Sequence, residues 1–96
     1  MAKYILLLNW TDKGIANIRD SANRLDAARA LIGKTGGSIE SIYMTFGEYD
    51  QIAVVEAADD ATLAANNLRI ASSGFVKMKT IKAFTEDQYR TIIASI

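Results

Sequence analysis

The segment from Ser38 to Ala57 constrains the fold more than any other part of the chain. Two runs rich in β-branched and aromatic residues, 38–46 and 51–57, flank the four residues Gly47-Glu48-Tyr49-Asp50. A short connection with Gly and Asp between two such runs is typical of a β-hairpin. We therefore place an antiparallel hairpin in the middle of the chain, with one strand and one helix on each side of it.

The segment before the hairpin predicts a central strand and a long helix. Lys3–Trp10 is almost entirely apolar, as in a strand buried on both faces. Thr11 is a good N-cap, and apolar residues then recur at helical spacing. A straight helix over Asp12–Gly33 would span about 33 Å, longer than an eight-residue strand of about 27 Å. We therefore expect a break near Asp20-Ser21, where Ser21 would cap a second helical segment. That segment would end at Gly33 or at the Gly36-Gly37 pair.

The segment after the hairpin predicts a second helix, an edge strand and a short final helix. Asp59 and Asp60 suit the start of a helix that ends near Ser73. The strand Phe75–Phe84 carries three lysines, which commonly protect a sheet edge: Lys77, Lys79 and Lys82. Thr85–Gln88 is a capping box, and an apolar stripe follows it. This stripe must dock on its own domain or on a neighbour.

The element order β-α-β-β-α-β is that of a ferredoxin-like fold, an α+β plait. Right-handed crossovers give one antiparallel sheet of order 4-1-3-2, in a single domain over residues 1–96 that ends in a short helix. Strict alternation puts Glu40, Ile42, Met44 and Phe46 on one face of the first hairpin strand, and Ile39, Ser41, Tyr43 and Thr45 on the other. Both faces of the sheet are apolar, and the helices cover only one. We therefore expect a homodimer or higher oligomer that pairs through the sheet face.

Composition excludes several classes of function. Eleven basic and eleven acidic residues give no net charge, so the chain lacks the basic field of a nucleic-acid or anionic-membrane binder. There is no Cys and no His, which removes thiolate chemistry, the commonest metal ligand and a proximal His for haem. We expect no cofactor. The apolar run near the N-terminus is too short for a membrane span, which predicts a cytoplasmic protein.

The turn Gly47–Asp50 is the first candidate site. Glu48 or Asp50 could act as a base if burial raised its pKa toward neutrality, and Tyr49 could carry a proton. The structural alternative is that Asp50 accepts hydrogen bonds from amides of its own loop, while Tyr49 covers the end of the sheet.

A second candidate set comprises Tyr43, Thr45 and Arg24. If Tyr43 faces the helices, it points with Arg24 into a cleft between helix and sheet, where an arginine beside tyrosine hydroxyls suits a carboxylate or phenolate. The alternative is an exposed Arg24 paired with Asp20 or Asp26. Further candidates for ligand contacts, at the end of the first strand, are Trp10 and Thr11. A tryptophan there is otherwise part of the core or of an interface.

Several segments resemble the GYD-domain family. These are Trp10–Gly14, Arg24, Gly36-Gly37, Thr45–Asp50, Ala53–Asp60 and Ala83–Thr85, so the resemblance spans essentially the whole chain. It implies a ferredoxin-like fold of the dimeric α/β-barrel kind, in which two sheets pack face to face. It implies no common activity.

The sequence therefore leaves three functions open. The leading one is an oligomeric domain that binds a small molecule or serves assembly. The alternative is a cofactor-independent isomerase or oxygenase for a phenolic or enolisable ligand, in which Tyr43, Tyr49 and Asp50 carry protons and Arg24 holds the anion. The third is a regulatory domain that senses a metabolite for a partner protein.

Overall fold

The computed structural model covers residues 1–96 and has four strands and four α-helices. The elements are β1 (Ala2–Trp10), α1 (Asp12–Ala16), a 3-10 turn (Ile18–Asp20), α2 (Ser21–Lys34), β2 (Ser38–Met44), β3 (Gln51–Ala57), α3 (Asp60–Ser72), β4 (Val76–Ala83) and α4 (Glu86–Ala94). The strands form one antiparallel sheet in the order β2-β3-β1-β4. The predicted ferredoxin-like topology is confirmed, with β1 in the centre and the lysine-rich β4 at an edge.

The first helical segment is interrupted where its length predicts. Thr11 caps α1, and its side chain accepts a hydrogen bond from the Gly14 amide. The 3-10 turn follows Asn17, and α2 starts at Ser21. The predicted break is therefore confirmed, but the predicted capping role of Ser21 is wrong. Asp20 occupies the N-cap position of α2 and makes no side-chain capping bond.

The core lies between the helices and one face of the sheet. Its buried residues are Tyr4, Leu6 and Leu8 of β1, Ala53, Val55 and Ala57 of β3, Ile32 of α2 and Leu63 of α3. The intervening strand residues on the opposite face, among them Ile5, Leu7 and Ile52, remain partly exposed. Within one chain, β1 is therefore buried on the helix side alone. We call the uncovered side the open face.

A β-bulge changes which residues of β2 face the helices. Ile39 pairs with Val55, whereas Ser41 pairs with the next residue of β3, Val54, so Glu40 is an extra residue. Ile39 and Ile42 consequently both pack on the core. Tyr43 lies opposite Ile52 on the open face. The assignment of Ile39 and Tyr43 to one face was wrong because strict alternation does not hold across a bulge.

The final helix projects from the domain. The predicted capping box of Thr85 and Gln88 is present. Every residue from 86 to 96 is exposed, including the apolar stripe of Tyr89, Ile92, Ile93 and Ile96. The radius of gyration is 14.4 Å, above the roughly 12.5 Å of a compact domain of this length. The stripe on α4 is thus not covered by its own domain. No helix combines the length and apolarity that crossing a bilayer requires.

Candidate functional site

The turn 47–50 is tied to the end of β1 by Asp50. The Trp10 amide donates to Asp50 Oδ2 at 2.9 Å, and the Asp50 amide donates to the Leu8 carbonyl at 3.0 Å and to Asn9 Oδ1 at 3.1 Å. Thr45 closes the turn from the other side, since its hydroxyl donates to the Tyr49 carbonyl at 2.6 Å. Asp50 is therefore a hydrogen-bond acceptor, but the expectation that its donors belong to its own loop is wrong, because the donor is the Trp10 amide of β1.

The predicted tyrosines do not surround Arg24. Tyr43 lies on the open face and is 64% exposed, whereas Arg24 lies on the helix side of the sheet. Tyr49 lies beside Lys79 of β4, whose Nζ is 5.8 Å from the ring centroid. Glu48 is exposed. The expected meeting of Tyr43 with Arg24 is wrong because of the bulge in β2.

A cleft of about 310 Å³ opens between α2, α3 and the helix side of the sheet. Trp10 and Arg24 line this cleft, as do residues that the sequence did not mark: Gln51, Arg69, Phe75 and Met78. Thr11, Thr45, Glu48 and the three proposed proton carriers are not among its lining residues. The sequence signals a helix–sheet cleft only through the amphipathic helices, and nothing local to Phe75 marks its contact with Arg24.

Arg24 is held in the wall of this cleft by two contacts. Its Nη1 donates to the Asn17 carbonyl at 2.9 Å, at the interruption between α1 and α2. Its guanidinium carbon lies 4.3 Å from the centroid of the Phe75 ring, a cation–π contact. Its Nη2 is buried and has no hydrogen-bond partner. The alternative pairing with Asp20 or Asp26 is absent from the ion pairs of the structure.

Comparison with known proteins places the chain in a family. The model of the GYD domain matches residues 4–93. The chain belongs to the GYD domain family. A relative from Thermus thermophilus, named glutamine synthetase and cystathionine beta-lyase binding protein, is 34% identical over 84 residues, which are 86% of this chain and 88% of the relative.

Solved structures share the fold of this GYD domain at low identity. A crystal structure of a Thermus thermophilus protein is 23% identical, with a TM-score of 0.56 over 88% of this chain and 95% of the other. A feast or famine regulatory protein from M. tuberculosis, complexed with L-methionine, is 18% identical, with a TM-score of 0.67 over 88% of this chain and 51% of the other. These likenesses support the ferredoxin-like fold.

The open face of the GYD domain has oppositely charged corners. At one corner, Lys3 Nζ lies 3.0 Å from Glu40 Oε2 and 3.9 Å from Glu56 Oε1. The neighbouring Glu40 raises the pKa of Glu56, while hydrogen bonds from Glu56 and Lys3 lower the pKa of Glu40. At the diagonal corner, Lys77 and Lys79 of β4 are exposed and lie beside Asn9 and Leu7 of β1 on the open face. At the first corner one lysine pairs with two carboxylates, so this corner is acidic, whereas the second corner is basic.

A separate polar contact joins α3 to the sheet on the helix side. The Tyr4 hydroxyl donates to Asp60 Oδ1, which Lys82 also contacts at 2.9 Å. The hydrogen bond to Asp60 raises the pKa of Tyr4 to about 12 and lowers the pKa of Asp60. Asp59 caps α3 by accepting from the Thr62 amide, which lowers the pKa of Asp59. No group of three acidic side chains lies close enough to hold a metal ion.

Proposed function

We propose that this GYD domain is an assembly domain in which two copies pack the open faces of their sheets together. The observation that carries the proposal is the apolar character of the open face, on which Tyr43 is 64% and Ile81 48% exposed. The single chain exposes 6326 Å², whereas a monomeric protein of 10.5 kDa is expected to expose about 5400 Å². The excess of about 900 Å², to which the projecting helix α4 also contributes, is of the same order as the ~800 Å² that each partner buries in a standard interface.

The strand register arranges apolar and charged residues on the open face in rows. One row contains Tyr43, Ile52, Leu7 and Lys79, and the next contains Ser41, Val54, Ile5 and Ile81. The acidic corner lies beyond the second row, at the Ser38 end of β2. The basic corner comprises Lys79 at the end of the first row and Lys77 beyond it, toward the Val76 end of β4. Aliphatic side chains therefore occupy the middle of the face, and opposite charges lie at the two ends of one diagonal.

This pattern fits a second copy of the same chain. A two-fold axis between the sheets, along the other diagonal of the face, brings Lys77 and Lys79 of one copy over Glu40 and Glu56 of the second. The same rotation sets Ile52 against its own counterpart. The strands of the two sheets then cross at nearly right angles, one of the established modes of sheet packing. Charge complementarity of this kind favours one mutual orientation.

The relative from Thermus thermophilus supports a role in protein assembly, since its name states that it binds two enzymes. A paired GYD domain leaves its helix side, and the helices that cover it, free for such a contact. We infer that self-pairing comes first and that the paired domain displays binding surfaces in duplicate. Duplicate surfaces raise the avidity for an oligomeric partner without any new contact.

The pairing can be tested by sedimentation velocity. Ile52→Glu sets two carboxylates against each other at the axis, while Leu68→Glu on α3 is a matched control at a position 71% exposed. We expect the native chain and Leu68→Glu to sediment as a dimer or larger species, and Ile52→Glu to sediment as a monomer with unchanged far-ultraviolet circular dichroism. A native chain that is monomeric at micromolar concentration would refute the proposal.

The orientation has its own test. Lys79→Glu should weaken the pairing, because it places a third carboxylate near Glu40 and Glu56 of the second copy. Adding Glu56→Lys should restore the pairing, because the carboxylate introduced at position 79 of one copy then faces the ammonium group introduced at position 56 of the other. Within each copy, Lys3 and the introduced lysine both lie beside Glu40. If the double variant pairs no better than Lys79→Glu alone, the two corners do not meet.

A further inference from the structure

Arg24, which lines the cleft on the helix side, has one buried donor without a hydrogen-bond partner. Arg24 uses Nη1 for the Asn17 carbonyl and its planar face for Phe75, so the guanidinium is fixed in place. Nη2 is buried, forms no hydrogen bond and belongs to a residue that lines the cleft. A buried donor of a charged group is costly to leave unsatisfied. A carboxylate oxygen is the acceptor that compensates an arginine most strongly.

The other residues that line the cleft determine the polarity, charge and size of the ligand that it can hold. Sixteen of its 21 lining residues are hydrophobic, and none is Asp or Glu. Arg69 contributes a second cation from α3. An ammonium group would therefore meet two arginines and no carboxylate, which disfavours free amino acids. The volume of about 310 Å³ corresponds to roughly ten water-sized groups.

We propose that the cleft binds a monocarboxylate with an apolar body of about this size, its carboxylate on Arg24 and its hydrocarbon part against the sheet. This inference goes beyond the proposed self-assembly. The cleft and the open face are on opposite sides of the sheet, so neither function requires the other. The ligand class is thus a medium-chain or arylalkyl acid without an amino group.

Trp10 provides the measurement. It is the single tryptophan of the chain and lines the cleft, so a bound ligand changes its fluorescence. Three probes share one eight-carbon chain: octanoate, 1-octanol and 2-aminooctanoate. A hydrogen bond to a charged group contributes about 1.5–3 kcal/mol, which is at least about tenfold in affinity. We expect octanoate to bind at least tenfold more tightly than 1-octanol and 2-aminooctanoate.

Variants then assign the effect to Arg24. Arg24→Gln should lower the affinity for octanoate at least about tenfold, toward that for 1-octanol, and should leave the affinity for 1-octanol unchanged. Arg29→Gln is the matched control, because Arg29 is also on α2, donates to the Ile39 carbonyl and does not line the cleft. Octanoate should bind the Ile52→Glu variant as it binds the native chain, so failure of self-assembly and failure of the cleft are separable.

Three results would each overturn the inference. One is equal affinity of the native chain for octanoate and 1-octanol, which needs no variant. Another is octanoate binding that survives Arg24→Gln or falls equally in Arg29→Gln. The third is the absence of any fluorescence change or heat in calorimetry with octanoate up to millimolar concentration.

Discussion

Two glycine-to-alanine substitutions should have opposite effects on stability. Gly14 is buried in α1, and a Cβ atom there would lie 2.1 Å from the Phe75 carbonyl oxygen and 3.2 Å from the Trp10 Cβ. Gly33 is in α2, and a Cβ atom there would meet nothing within 4 Å. Both residues are helical, so alanine improves the intrinsic helix propensity by a similar amount at each site. Only the surroundings differ.

The expected magnitudes follow from those contacts. At Gly14 the carbonyl of Phe75 must move by more than about 1 Å, and overpacking of this kind costs about 1–3 kcal/mol. That carbonyl also accepts the Thr11 amide at 3.1 Å, a bond that contributes about 1 kcal/mol. Against this, alanine gains about 0.5–1 kcal/mol of helix propensity. We expect Gly14→Ala to lose about 1–3.5 kcal/mol of unfolding free energy and Gly33→Ala to gain about 0.5–1 kcal/mol.

Urea unfolding at one protein concentration is the assay, since an associating chain has a concentration-dependent midpoint. In thermal unfolding, a loss of 1.5 kcal/mol lowers the midpoint by roughly 6 °C or more for a domain of this size. A Gly14→Ala variant as stable as the native chain would refute the close packing of α1 on Phe75. A destabilised Gly33→Ala would refute the open surroundings of that position.

Three further changes test other contacts. Asp50→Ala should cost about 1–2 kcal/mol and speed amide exchange at Trp10, whose N–H loses its acceptor, while Asp50→Asn should retain most of the protection. In an absorbance titration, the Tyr4→Phe variant should lack the phenol whose pKa is about 12 in the native chain. In the native chain, the hydrogen-bonded phenol of Tyr4 contributes its full stabilisation below pH 10.0, and this contribution is lost as the pH rises through about 12. In the native chain, the lowered pKa of Asp60 contributes stability that is present above the ordinary pKa of 3.8 and is lost as the pH falls through the lowered pKa. Tyr4→Phe removes the main cause of that lowering, so acid unfolding of the variant should begin at a higher pH. Deleting residues 86–96, all exposed, should change the unfolding free energy of the isolated domain by less than about 1 kcal/mol.

The fold was predictable because several local signals agree with one topology. The unbroken apolar run of β1, the capping residues Thr11 and Asp59, and Gly74 with a φ of +84° after α3 each mark an element or its end. Such signals act over a few residues, so a single sequence shows them. The order of the strands then follows from right-handed crossovers.

The arrangement of the site was less predictable because it depends on distant contacts. The extra residue Glu40 reverses the facing of Ile39 relative to Tyr43, and an alternating pattern contains no signal for it. Arg24 of α2 meets Phe75, the residue before β4, across a sequence separation of about fifty residues. The acceptor role of Asp50 was expected, but its donor proved to be an amide of β1.

The hydrogen bonds of Asp50 affect both faces of β1. Leu6 and Leu8 form the floor of the cleft, while Ile5 and Leu7 lie on the open face. Because strand residues alternate, a slip of one residue would exchange these sets and destroy both surfaces at once. Asp50 bonds to the backbone of β1 at two successive points, the Leu8 carbonyl and the Trp10 amide. The Gly47–Asp50 turn therefore fixes the register of β1, on which both the cleft and the proposed pairing surface depend.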